Sequence, residues 1–190
     1  MSVVIFAFAE DVTKPPFRSN VPQSSEKTYR VVIPTLTQRH ALTRYISHAK
    51  LRDEKISTLH LVAHGSPGRL FLSGPSPKLA LDAGGCSWFG ALRSHFETAF
   101  PRVIIHGCNS GSGTAMEPTM GYGSYALNQT GVGYEFALAM AKATGAIVEI
   151  GIHRQFNDPG YELEGPRLTV GPNGAALGAE YQYANYGQAL

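Results

Sequence analysis

The sequence predicts an α/β fold over residues 1–190, read as a single domain: a mainly parallel sheet with helices on both faces and a C-terminal β-hairpin. Three observations carry this. Segments with strand character alternate with segments of helical periodicity. The strand segments are continuously apolar rather than alternating, as in strands covered on both sides. Two of them stop abruptly in small residues, HGSPG and CNSGSG, where a ladder cannot continue.

Residues 3–9, VVIFAFA, form the first strand, followed by a Pro- and Ser-rich loop from Asp11 to about Glu26. TYRVVIP is the second strand, stopped by Pro34. Thr35 and Gln38 fit a capping box, and Leu42, Tyr45, Ile46 and Ala49 recur at helical spacing, so a helix is expected over 36–50. ISTLHLVA, residues 56–63, is the third strand, and a hairpin is expected around RLFLSGPSPKLAL. Phe89, Leu92, Phe96 and Phe100 mark one face of a helix leading into the fourth strand, RVIIHG, residues 102–107. A stretch from 111 to 130 has no period. A helix follows over 132–144, with Val132, Phe136, Met140 and Ala143 on one face and Gly145 as its cap, then the strand IVEIGI. RLTV, GPNG and AALGAEY read as an appended hairpin.

Composition narrows the function classes. Hydrophobic residues make up 43% of the chain, which excludes wholesale disorder. The run VVIFAFA is far short of the roughly 20 residues needed to cross a bilayer, so no membrane partner is expected. No basic stretch precedes it and Glu10 and Asp11 follow it directly, unlike a classical signal peptide, so the expected location is the cytoplasm or secretion by another route. Sixteen basic residues against 14 acidic ones imply no nucleic-acid partner. Two cysteines, Cys86 and Cys108, are expected to be free thiols.

The chemistry concentrates where two strands end, at His64 and Cys108. In an open parallel sheet the carboxyl ends of the strands line one edge, and ligands bind there, so neighbouring strands would present both side chains to one crevice. A thiol needs a base or a positive neighbour to become a nucleophile near neutral pH, and an imidazole supplies it. Small residues beside each let the backbone turn and direct N–H groups at a developing oxyanion, with Gly65 and the Cys108 amide as candidates. The alternative for Cys108 is a small core residue at a strand end, and that is the reading for Cys86 in GGCSWFG.

His64-Gly65 closing one strand and Gly107-Cys108-Asn109-Ser110-Gly111 closing the next resemble the caspase-like (clan CD, caspase-hemoglobinase) cysteine peptidases, closest to bacterial caspase-like and CHAT-type domains. The two side chains are 44 positions apart, close to the separation of about 50 in caspases. The resemblance extends over roughly Val3 to Ile152 and implies a three-layer α/β sandwich. It also implies a cysteine endopeptidase with His64 as general base and acid, Cys108 as nucleophile, and an oxyanion pocket from the amides of Gly65 and Cys108. No cofactor and no metal are implied, and the partner is a peptide or protein substrate. Asp11, His106, Asn109, Ser110 and Arg154 are the expected substrate-side residues. Asp11 resembles the acidic residue that gives metacaspases and clostripain-like enzymes a basic P1 preference. His106 stands where caspases carry Gln and metacaspases Asp, which leaves a small or apolar P1 open. His106 is read as a pocket wall, a rim residue or a rival base.

Other chemistries fit less well. His60 and His64 have the spacing of a helical zinc pair, but on a strand they stand about 13 Å apart. Walker-loop residues and a G-x-S-x-G elbow are missing from the chain. The setting fits a bacterial effector or a regulatory protease. A rival reading from another class is a catalytically silent caspase-like binding module. Residues 111–130 read as a substrate-side loop or an inert insertion.

Overall fold

The computed structural model describes residues 2–13, 27–47, 54–74, 76–108, 110–111, 131–152, 163, 165–174 and 181–182. In chain order the strands are β1 (Ser2–Ala9), β2 (Thr28–Ile33), β3 (Lys55–Val62), β4 (Gly65–Ser66), β5 (Arg69–Leu70), β6 (Arg102–His106), β7 (Ile147–Gly151), β8 (Gly165–Val170) and β9 (Tyr181–Gln182). The α-helices are α1 (Arg39–Ser47) and α2 (Val132–Thr144), and a long 3-10 helix spans Gly84–His95.

Seven strands form one sheet in the order β2-β1-β3-β6-β7-β8-β9. The first five run parallel, and β8 and β9 are added antiparallel, the expected C-terminal hairpin. Continuous apolarity follows from this topology. Val3, Ile5, Ala7, Leu59, Leu61, Val103, Ile105, Val148 and Ile150 have no exposed surface. Strands paired on both sides by backbone have only their two faces to cover, and β-branched side chains suit that.

Crossovers from β2 to β3, β3 to β6 and β6 to β7 all move the same way across the sheet, and a right-handed connection then puts their helices on one face. Accordingly α1 touches the 3-10 helix and the 3-10 helix touches α2, in one continuous layer. The sequence also predicts helices on the other face; among the described residues these connections place no long helix there.

Local details differ from expectation where tertiary bonds compete with helical ones. Thr35 does not cap α1: its N–H and hydroxyl both donate to the Glu10 carboxylate, at 2.9 and 3.0 Å, and the helix begins at Arg39. The segment before β6 is 3-10 rather than α, and it contains Gly84, Gly85 and Gly90, which favour no α-helix. Phe89 and Leu92 are buried as expected, but Phe96 is extended and bridges to Ile56, while Phe100 is 82% exposed with φ 52°. The hairpin expected over RLFLSGPSPKLAL is a single antiparallel bridge between Leu70 and Leu81, and the true two-residue turn is Pro67-Gly68 between β4 and β5. Gly68 there has φ 68°, the left-handed conformation a turn of this kind requires.

Helix α2 has the predicted bounds and Gly145 closes it in the left-handed region, its N–H donating to the Ala141 carbonyl. Its buried residues are Gly133, Tyr134, Phe136, Ala137, Met140, Ala141 and Thr144, so Phe136 and Met140 of the predicted face are buried and Val132 is half exposed. Among the described residues no helix is long and apolar enough to cross a membrane.

Candidate active site

The register of β3 on β6 pairs Val62 with His106, so His64 and Cys108 each follow two residues past one aligned pair. Parallel strands keep such offsets level, and the two side chains leave the sheet at the same edge from neighbouring strands. Both are half-buried. Cys86, by contrast, is fully buried between the 3-10 helix and α2, its thiol 3.3 Å from the Asp82 carbonyl and 3.8 Å from that of Phe136.

Glycine permits the two strand ends to touch. A Cβ on Gly65 would collide with the Ser110 hydroxyl and lie 2.8 Å from the Cys108 carbonyl oxygen. A Cβ on Gly107 would meet Ser110 and Leu70. The backbone of the β4–β5 hairpin thus rests directly on the backbone that carries Cys108, a separation no side chain would allow.

Ser110 fastens this contact. Expected on the substrate side, it is instead fully buried: its hydroxyl donates to the Arg69 carbonyl at 2.9 Å and its own carbonyl accepts the Gly68 N–H at 3.0 Å. A third bond, from its N–H to the Gly107 carbonyl at 3.1 Å, closes the turn around Cys108. The next residue, Gly111, donates to the Gly151 carbonyl at 2.9 Å and ties the same turn to β7. On the other side the Phe71 N–H donates to the His64 carbonyl at 2.8 Å, so the main chain of His64 is held by the hairpin as well.

His106 is likewise not at a rim. It is buried, and its Nε2 is 2.9 Å from Nδ1 of His60, with the two rings stacked and Phe6 stacked on the far side of His60. The internal hydrogen bond occupies His106 Nε2 and turns the ring toward β3. Burial pushes His60 down to about 4, assisted by the Arg102 guanidinium, and pushes His106 down to about 3, assisted by His60. Both rings are therefore neutral near pH 7, one donating and one accepting. Parity was the signal for this pair: His60 is four residues before His64 and His106 two before Cys108, both even offsets, hence one face of adjacent strands.

Asp11 lies at the end of β1, the neighbour of β3 on the side away from β6, where one carboxylate oxygen accepts the Val12 N–H at 3.0 Å. The same edge therefore carries Asp11, His64 and Cys108 on three successive strands. Asn109, Arg154 and residues 112–130 lie outside the described residues. Among the described residues no cluster of three His, Cys, Asp or Glu side chains could hold a metal ion. A cavity of about 600 Å³ opens at the opposite, amino edge, lined by Phe100, Pro101, Ile147, Pro172 and neighbours. It is remote from both His64 and Cys108.

Comparison with protein-family models, with curated proteins and with solved structures finds no match to this chain.

Proposed function

We propose that the protein is a cysteine endopeptidase working through a His64–Cys108 dyad. The observation that carries the reading is the paired register, which puts a histidine and a half-buried thiol level at the carboxyl edge of adjacent parallel strands, each beside a glycine that lets the backbones touch. In the reaction the Cys108 sulfur, its proton taken by His64, bonds to the substrate carbonyl carbon. The C–N bond then breaks and the amine leaves with the proton from His64. Water next attacks the thioester, giving a proton to His64, and the C–S bond breaks to release the acid and restore the thiol. Main-chain amides of Gly65 and Cys108 are the candidate donors to the oxyanion.

Asp11 supports a preference for Arg or Lys before the scissile bond, through a charge-assisted pair. Matched substrates differing only at P1, tested on wild type and Asp11→Asn, should show that preference fall with the charge. Equal rates for Arg and Ala at P1 in wild type would remove the acidic pocket while leaving the dyad.

The decisive test is labelling with a peptidyl electrophile, read by mass spectrometry. Rapid modification of Cys108 and none of Cys86 is expected, abolished in His64→Ala. A Cys108 that reacts no faster than a free thiol would reject the peptidase in favour of a silent binding module.

A further inference from the structure

Among the described residues only Leu36 and Phe100 are non-glycine residues at positive φ, and Leu36 (φ 66°) stands at the same sheet edge as His64 and Cys108. L side chains are strained in this region and glycine or asparagine is accommodated more readily. Packing does not explain a leucine here, because Leu36 is 67% exposed. Its conformation is nevertheless closely determined. Thr35 before it is held twice by Glu10, Leu36 itself donates its N–H to the Ser73 carbonyl at 2.9 Å, and Thr37 after it bonds twice to the Pro34 carbonyl. Gly74 lies so close behind that a Cβ there would be 2.9 Å from the Thr35 methyl. Backbone strain that the surroundings over-determine clusters at active sites and ligand clamps, and here it fixes the position of an exposed apolar side chain.

We propose that Leu36 is a specificity residue that receives an apolar side chain of an extended peptide substrate, an inference that rests on the peptidase reading. Leu36 follows β2, and the order β2-β1-β3-β6 puts three strand spacings between its strand and that of Cys108. At about 4.8 Å each these make roughly 14 Å, or about four residues of extended peptide at about 3.4 Å per residue. The substrate class is therefore a peptide with an aliphatic or aromatic side chain about four residues from the bond cut, on the side that crosses the ends of β3 and β1. Glu10, the charged neighbour on that path, is already engaged by Thr35.

The experiment compares wild type, Leu36→Gly and Leu36→Asn on peptides that place Leu or Ser at positions three to five residues on either side of the scissile bond. Wild type should favour Leu at one of these positions by roughly fivefold to tenfold in kcat/KM, the worth of a partly buried aliphatic contact. Both variants should lose that preference, while Cys108 is alkylated by iodoacetamide at the wild-type rate. Relief of strain should leave the melting temperature of Leu36→Gly equal to or above wild type. A wild type that cleaves while the variants keep the preference overturns the role of Leu36 alone. A clear drop in melting temperature for both variants shows that Leu36 is there for packing and also overturns it. A wild type that cleaves no peptide overturns the peptidase reading, and this inference with it.

Discussion

The two edges of the sheet divide chemistry from volume. At the carboxyl edge, beyond β1, β3 and β6, stand Asp11, His64 and Cys108, with Gly65 and Gly107 pressed against Ser110 so that the backbones touch. At the amino edge a cavity of about 600 Å³ is lined by Thr98, Ala99, Phe100, Pro101, Gly145, Ile147, Gly171, Pro172 and Asn173, without a single ionisable side chain. A nucleophile needs a base and oriented N–H groups, which strand ends of a parallel sheet supply, and volume supplies neither. Leu36 and Phe100 repeat the contrast on a smaller scale. Both are exposed and left-handed, but Leu36 donates its own N–H to Ser73 between two braced threonines, whereas beside Phe100 the Pro101 carbonyl accepts the Ile147 N–H at 2.8 Å.

The largest effect should separate the edges outright. His64→Ala and Cys108→Ala are each expected to lower peptide hydrolysis by several orders of magnitude with the circular dichroism spectrum unchanged. Cys86→Ala, a core substitution, should retain most activity. An inactive but folded Cys86→Ala would move the nucleophile away from the carboxyl edge.

Acid should act next. His60 and His106 have folded pKa values near 4 and 3, below the usual 6.5 of the unfolded chain. The unfolded state therefore binds more protons, and stability falls as pH drops through the window from about 6.5 to about 3, with no contribution above it. The loss is of the order of a few kcal/mol. It should appear in urea melts at stepped pH, and His106→Gln should flatten it. Because the pair lies in the strands that end at His64 and Cys108, hydrogen exchange at pH 4.5 should rise in β3 and β6 before β8. Uniform exchange across the sheet would break this link.

Smaller effects belong to the bracket. Ser110→Ala removes the hydroxyl that donates to the Arg69 carbonyl in this part-buried contact, at a cost of about 1 kcal/mol. Labelling of Cys108 should also slow, as the turn loses its tie to the hairpin. Gly65→Ala should lower the melting temperature and slow labelling together, because its Cβ lands on the buried Ser110 hydroxyl and on the backbone at Cys108. Wild-type labelling in both would show that the bracket does not position the thiol.

Least of all is expected at the amino edge. Phe100→Gly removes an exposed side chain from a strained backbone, so stability should change by no more than about 1 kcal/mol and labelling of Cys108 not at all. A labelling defect would show that the two edges are coupled.

Element order, the parallel strands, the bounds of α2 and the alignment of the HGSPG and HGCNSG endings were legible in the sequence, because apolar period, glycine and chain order are local properties. The 3-10 form of Gly84–His95, the exposure of Phe100 and the diversion of Thr35 from cap to Glu10 were not, since each depends on a partner distant in sequence. Most of the site's support belongs to this second class. His106 became half of a buried pair with His60, and Ser110 a bracket between hairpin and turn, only when β3 and β6 came into register. A residue's type and spacing state what it can do chemically. Which neighbour uses up its hydrogen bonds, and so whether it faces substrate or core, is decided by the tertiary fold.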